Sequence, residues 1–197
     1  SGVTLNMRIP YHIALVFIIA IEGYVVLSSE LLAIRQTIPF IGSGTDTVSI
    51  IIAAGFVPVA VGYQAGGKFK SGYQTNLFGK KRYMSIRDKL IHNIVVSSWI
   101  LLVGLSYIFI MIFFEILHGI GLNHRLIMIS MYSGLFLVYP VYLLGQTIPL
   151  CSNYFSKEKL SQATGRILFF STMGSFLGAI FSTLVPVSYT HLRAHET

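Results

Sequence analysis

Five long apolar runs dominate the chain, separated by shorter segments in which charge, proline and glycine collect. They cover residues 11–35, 48–67, 90–116, 125–150 and 165–186. Each is close to the ~20 residues a helix needs to cross a hydrocarbon core of ~30 Å. None shows the strict polar/apolar alternation of a membrane β-barrel strand. The pattern predicts an all-α, polytopic helical membrane bundle of about five transmembrane helices, preceded by a polar segment over residues 1–10.

Composition agrees with that class. Hydrophobic residues make up 54% against 11% charged, with a mean hydropathy of +0.72, whereas a soluble domain carries about 25% charged residues. The net charge of +7 comes from basic residues concentrated in two loops. Lys68, Lys70, Lys80, Lys81, Arg82, Arg87 and Lys89, opposed by Asp88, follow the second run, and Lys157, Lys159 and Arg166 follow the fourth. The segments 36–47 and 118–124 have no Lys or Arg. Short loops rich in Lys and Arg stay on the cytoplasmic side. Both basic loops, and with them the N-terminus, are therefore expected in the cytoplasm. The charge reads as topological, with a contribution from anionic lipid head groups, and not as a nucleic-acid surface. Cys151 is the single cysteine, so no internal disulfide can form.

Polar residues inside the runs carry the candidate chemistry, because charge in a lipid-facing segment is expensive and marks packing or function. The candidate intramembrane polar site comprises Glu22, Glu30, Arg35, Gln64 and Gln146. Glu22 and Glu30 are eight residues apart, about 80° around a helix, and share a broad face. Arg35, near the end of the first run, is placed to pair with Glu30. That reading makes Glu30 either half of a structural ion pair or a substrate contact, and leaves Glu22 without a local partner. Pro58, Pro140 and Pro149 predict kinks, the last two together a broken helix. Gly62 with Gly66, and Gly174 with Gly178, have the small-residue spacing that lets helices approach closely. The stretch 39–44 predicts a tight turn, with Thr45 or Asp46 capping the next helix.

Other signals are thin. Gly66-Gly67-Lys68 lacks the spacing of a phosphate loop. His118 and His124 lack a third metal ligand at suitable spacing, and His92 reads as an interfacial residue. No catalytic, cofactor-binding or metal-ligating residue is assigned, so no cofactor is expected within this stretch.

The last eleven residues, 187–197, differ from the rest. Hydrophobicity collapses after Pro186, and the string Val-Ser-Tyr-Thr-His-Leu-Arg-Ala-His-Glu-Thr reads as an in-frame translation of a transposase-type sequencing adapter. The expectation is that this tail is non-native and that the chain is a fragment whose natural sequence continues past residue 186.

Several blocks together resemble a known family. Glu30-Leu-Leu-Ala-Ile-Arg35, Pro39-Phe40-Ile41-Gly42-Ser43 and Gly62-Tyr63-x-x-Gly66-Gly67 are similar to the start of the membrane domain of bacterial spermidine synthase-like membrane proteins. Leu144-Gly145-x-x-x-Pro149 and the block from Gly165-Arg166 through Ser171-Thr172 to Gly174 and Gly178 resemble its later blocks, in the same order. The resemblance implies an inner-membrane domain that anchors a cytosolic aminopropyltransferase-like domain and supplies it with a polyamine or other cationic amine. That domain would lie in the lost C-terminal part, since no Gly-rich cofactor loop is present. The alternative expectation is a fragment of a secondary transporter for a cationic or small organic solute.

Overall fold

The computed structural model describes residues 11–75, 79, 81–153 and 160–194, with side chains over 13–74, 79, 81–153 and 164–184. Residues 1–10, Lys80, Lys157 and Lys159, and the side chains of the adapter-like tail lie outside the described residues. The chain is an all-α bundle carrying one small β-hairpin. In order the elements are α1 (Tyr11–Ile41), α2 (Thr45–Lys68), β1 (Gly72–Thr75), β2 (Lys81–Met84), α3 (Ile86–Gly104), α4 (Tyr107–Gly119), α5 (Arg125–Phe136), α6 (Val138–Gly145), α7 (Thr147–Ser152) and α8 (Leu160–Ala194). Four segments are long and apolar enough to cross a membrane: α1, α2, the α5–α7 unit and α8. The bent pair α3–α4 makes a fifth if it counts as one span.

The close contacts fix the directions of these helices. Gly174 lies against the Ala20 backbone and Gly178 against that of Tyr24, so α1 and α8 run parallel. Gly62 meets Tyr142 and Gly145, and Gly66 meets Gln146 and Pro149, so α2 runs parallel to α6–α7. Asn93 reaches Gln146 whereas Gly104 reaches Phe136, so α3 is antiparallel to α5–α7. Successive crossings therefore alternate in direction, with Gly42–Gly44 and the α4–α5 connection at one end and the hairpin at the other.

Several boundaries differ from the sequence reading, each for a local reason. Pro39, Phe40 and Ile41 belong to α1, which shrinks the expected turn to three residues. Gly42 ends the helix at φ +79°, a conformation that favours glycine, and donates its N–H to Ile38 O at 2.8 Å. Gly44, not Thr45 or Asp46, is the N-cap of α2. Asp46 instead accepts the Thr47 N–H and pairs with Arg125 at the start of α5. Pro58 lies inside α2, which stays helical on both sides of it, as a kink without a break allows. α8 begins earlier than residue 165 and continues past Pro186.

The third run, expected as one helix, is bent by 67° between α3 and α4. No proline causes this. The buried Tyr132 hydroxyl donates to the Gly104 carbonyl at 2.7 Å, the group a continuous helix would give to Ile108 N–H. Phe136 packs where a Cβ on residue 104 would stand. The fourth run is broken as its prolines predict. Pro140 and Pro149 cannot donate to the carbonyls of Phe136 and Gly145, and the interruptions fall just after those residues.

The basic loop after α2 is structured. Tyr73 pairs with Tyr83 and Gln74 with Arg82 in an antiparallel ladder, and Gly79 at φ +73° lies in the connection between the strands. Ser85 then opens α3 through a capping box: its hydroxyl accepts the Asp88 N–H at 3.1 Å, and its own N–H is taken by the Asp88 carboxylate at 3.3 Å.

Buried apolar side chains form two separate clusters. One, at the end away from the hairpin, contains Ala33, Ile41, Ile51, Leu101, Phe114 and Tyr132. The other, nearer the hairpin, contains Leu15, Ile19, Leu90, Leu150, Cys151 and Ile167. The buried polar residues Glu22, Glu30, Asn93, Ser97, Gln146 and Thr147 occupy positions between the two along their helices.

Candidate functional site: a carboxylate-lined cavity between two apolar layers

The Glu22 and Glu30 side chains line one cavity of about 210 Å³ between α1, α2 and α8. Both are only 4% exposed. Val59 and Tyr63 of α2 and Ser171 and Ser175 of α8 complete the part of the wall that matters chemically. The helical spacing puts both acids on the face of α1 that these neighbours cover, and leaves them about 12 Å apart along the axis at 1.5 Å rise per residue.

Small residues create this arrangement. A Cβ on Gly55 would overlap the Glu30 carboxylate, so glycine there lets the acid lie against the α2 backbone. On the other side Gly23 meets the Ser171 carbonyl, and Gly174 and Gly178 meet α1 backbone atoms. That approach carries Ser175 Oγ to 3.1 Å from Gly23 O and Ser171 Oγ to 3.3 Å from Glu22 Oε2, to which it donates. Glu30 has no hydrogen-bond or ion-pair partner among the described residues. The single ion pair found among them is Asp46–Arg125, at the loop end of the bundle.

Arg35 does not pair with Glu30. Five residues along a helix is about 140° of rotation, which puts the two side chains on different faces. Arg35 instead donates to the backbone carbonyls of Ser182 and Thr183 on α8, at 3.0 and 3.4 Å. Proline at 186 has no N–H to give the Ser182 carbonyl, and the guanidinium supplies the missing donor.

The two glutamines also lie apart from the carboxylates. Gln146 is buried at the α6–α7 break, where its Oε1 accepts from Asn93 Nδ2 at 3.0 Å. The same Asn93 amide donates to Leu143 O at 3.2 Å. The Asn93 Oδ1 and Thr147 Oγ1 atoms are buried without a partner. Gln64 is exposed near the end of α2, while its neighbour Tyr63 faces the cavity. His118 Nδ1 lies 2.8 Å from Asn123 Oδ1, and no cluster of potential metal ligands occurs among the described residues.

The residues that sequence reasoning did not assign to the site are Gly55, Tyr63, Ser171 and Ser175, together with Asn93 at the second polar node. Gly55 had one available signal: it falls seven residues before Gly62, on the same helical face. Ser171 had its place in the block from Gly165 to Gly178, whereas Ser175 had no signal, since serine is unremarkable in an apolar helix.

The cavity is thus a largely apolar compartment, walled by Val26, Leu27, Phe56 and Val59, into which two acids and three hydroxyls project with no internal cation among the described residues. Such a compartment can hold an ammonium group or a proton, and its Val59 side accepts methylenes. No family model, curated protein or solved structure matches the chain.

Proposed function

We propose that this chain is a membrane domain that takes an organic ammonium ion into the cavity between Glu22 and Glu30. The observation that carries the proposal is a pair of almost fully buried carboxylates lining one cavity with no counter-cation among the described residues. A buried carboxylate needs a compensating charge or proton. An ammonium 4 Å away gains about 4 kcal/mol of Coulomb energy at an effective dielectric constant near 20. Carboxylates offset by about 12 Å along the helix suit a linear chain with an ammonium at each end.

The family resemblance supplies the identity of the amine. The block Glu30–Arg35 contributes one carboxylate, and the block from Gly165 to Gly178 contributes Ser171 and the glycines that deliver it. On this reading the domain sits in a bacterial inner membrane with the N-terminus and hairpin in the cytoplasm. It holds a polyamine for a cytosolic aminopropyltransferase-like domain that follows the spans.

The test is binding and uptake of radiolabelled spermidine by the native full-length protein in reconstituted vesicles. The E22Q/E30Q double variant should lose binding at least tenfold. Affinity equal to wild type would leave the glutamates a packing role. The secondary-transporter alternative draws support from the broken α6–α7 unit: Val59 both lines the cavity and lies against Gly145 at that break, and discontinuous helices beside a central site are a transporter arrangement. Time-dependent uptake against a gradient favours transport, whereas saturable binding without uptake favours the anchoring domain.

A further inference from the structure

The loop between α2 and α3 bears no part of the cavity, yet it is the most basic part of the chain. We infer that the β1–β2 hairpin is a docking surface for anionic phospholipid head groups, with its Tyr73–Tyr83 face laid on the bilayer. The inference rests on the bundle being membrane-embedded, but not on what the cavity binds.

Tether length places the hairpin at the membrane surface. Phe69–Ser71 separate α2 from β1, and Ser85 alone separates β2 from α3. α2 is a candidate span and α3 is the first half of the bent pair that makes a fifth if it counts as one span, and four-residue strands reach only about 14 Å at 3.4 Å per residue. The hairpin therefore stays within or just above the head-group layer.

Register sets which side chains meet it. Directly paired residues project to the same face of a ladder, so Tyr73 and Tyr83 share one face, and Lys81, two residues from Tyr83, lies on it as well. The two rings pack edge to face at 5.7 Å and remain 76% and 56% exposed. The opposite face carries Gln74, Arg82 and Met84, of which Met84 is partly covered, so Arg82 reaches the lipid surface only around the hairpin edge while Lys81 lies on the tyrosine face. An exposed tyrosine pair in a soluble hairpin would be a liability, while at a membrane interface amphipathic rings are favoured.

Charge complementarity identifies the occupant. Lys68, Lys70, Lys81, Arg82 and Arg87 are exposed, and none has an ion-pair partner among the described residues. Asp88, the single acid of the segment, is held in the capping box with Ser85. A juxtamembrane cluster of this size attracts anionic lipids, and the attraction fades within a Debye length of about 8 Å. Because the strands reach about 14 Å, the hairpin's cations fall inside that distance when it lies along the bilayer on its tyrosine face, the inferred orientation.

The test uses the full chain in vesicles, with the single tryptophan removed (W99F) and a reporter placed in the hairpin (Y83W), after circular dichroism shows unchanged helicity. In phosphatidylglycerol-containing vesicles the reporter should emit further to the blue than in phosphatidylcholine alone. It should also be quenched several-fold more strongly by lipids brominated near the head group. High salt or the added K81Q/R82Q pair should abolish both differences. Equal emission and quenching in the two lipids would overturn the inference. So would a reporter that becomes buried only when a cytosolic domain is supplied, which would assign the surface to a protein partner.

Discussion

Glu22 and Glu30 are each held by one neighbour of a particular kind. Glu22 accepts a hydrogen bond from the Ser171 hydroxyl, and Glu30 lies in the space that Gly55 leaves open. Neither feature can be read from charge alone, because both depend on which helices become neighbours. The variant G55V should displace Glu30 from the α2 backbone. The obstructing atoms are the far end of a flexible side chain, so amine affinity should fall at least tenfold while the helical content of the detergent-solubilised protein is retained. The variant E30Q removes an uncompensated buried carboxylate and should leave stability unchanged or raise it by about 1–2 kcal/mol, read from unfolding midpoints. A clear loss of stability in E30Q would show that the acid holds the fold together. Arg35 illustrates what spacing within one segment can and cannot decide. Its nearest acid in sequence is Glu30, but helical rotation separates them, and its partners lie on a helix about 150 residues further along.

At the scale of the elements, hydropathy and proline positions located the helices well. α1, α2, the α5–α7 unit and α8 follow directly from apolar runs, and the α6–α7 break follows from Pro149. The α3–α4 bend was not readable, because its cause is a tertiary hydrogen bond from Tyr132 to Gly104 O. The hairpin has no sequence signature of its own, because its four-residue strands are too short to display a period. Removing the Tyr132 hydroxyl (Y132F) should leave the Gly104 carbonyl buried without its donor and destabilise the fold by about 1–3 kcal/mol. An unfolding midpoint equal to wild type would mean that the bend is set by other contacts. The α1–α8 pair should be more sensitive still. A Cβ at Gly174 meets the Ala20 backbone, which cannot rotate away. The variant G174V should therefore push the helices apart, at about 1–3 kcal/mol, and weaken amine binding by withdrawing Ser171.

The molecule as a whole is two apolar layers with polar side chains between them, crossed by helices that alternate in direction. Apolar runs announce the layers, and the acids announce that something polar lies within α1. Only the assembled bundle shows that both acids face one cavity, and that the Asn93–Gln146 pair forms a separate node. The exposed Asp46–Arg125 pair joins the two short connections at the end opposite the hairpin. Being on the surface and screened by solvent, it should contribute little, so D46N should scarcely move the unfolding midpoint. The central claim is that Glu22 and Glu30 act together in a single ammonium-binding cavity. It is tested most directly by treating the membrane-reconstituted protein with an apolar carbodiimide and mapping the modified carboxyls by mass spectrometry, with and without spermidine. The account predicts that Glu22 and Glu30 are both modified in the absence of the amine and both protected over the same range of its concentration. Modification that is indifferent to spermidine, or protection of one glutamate alone, would contradict it.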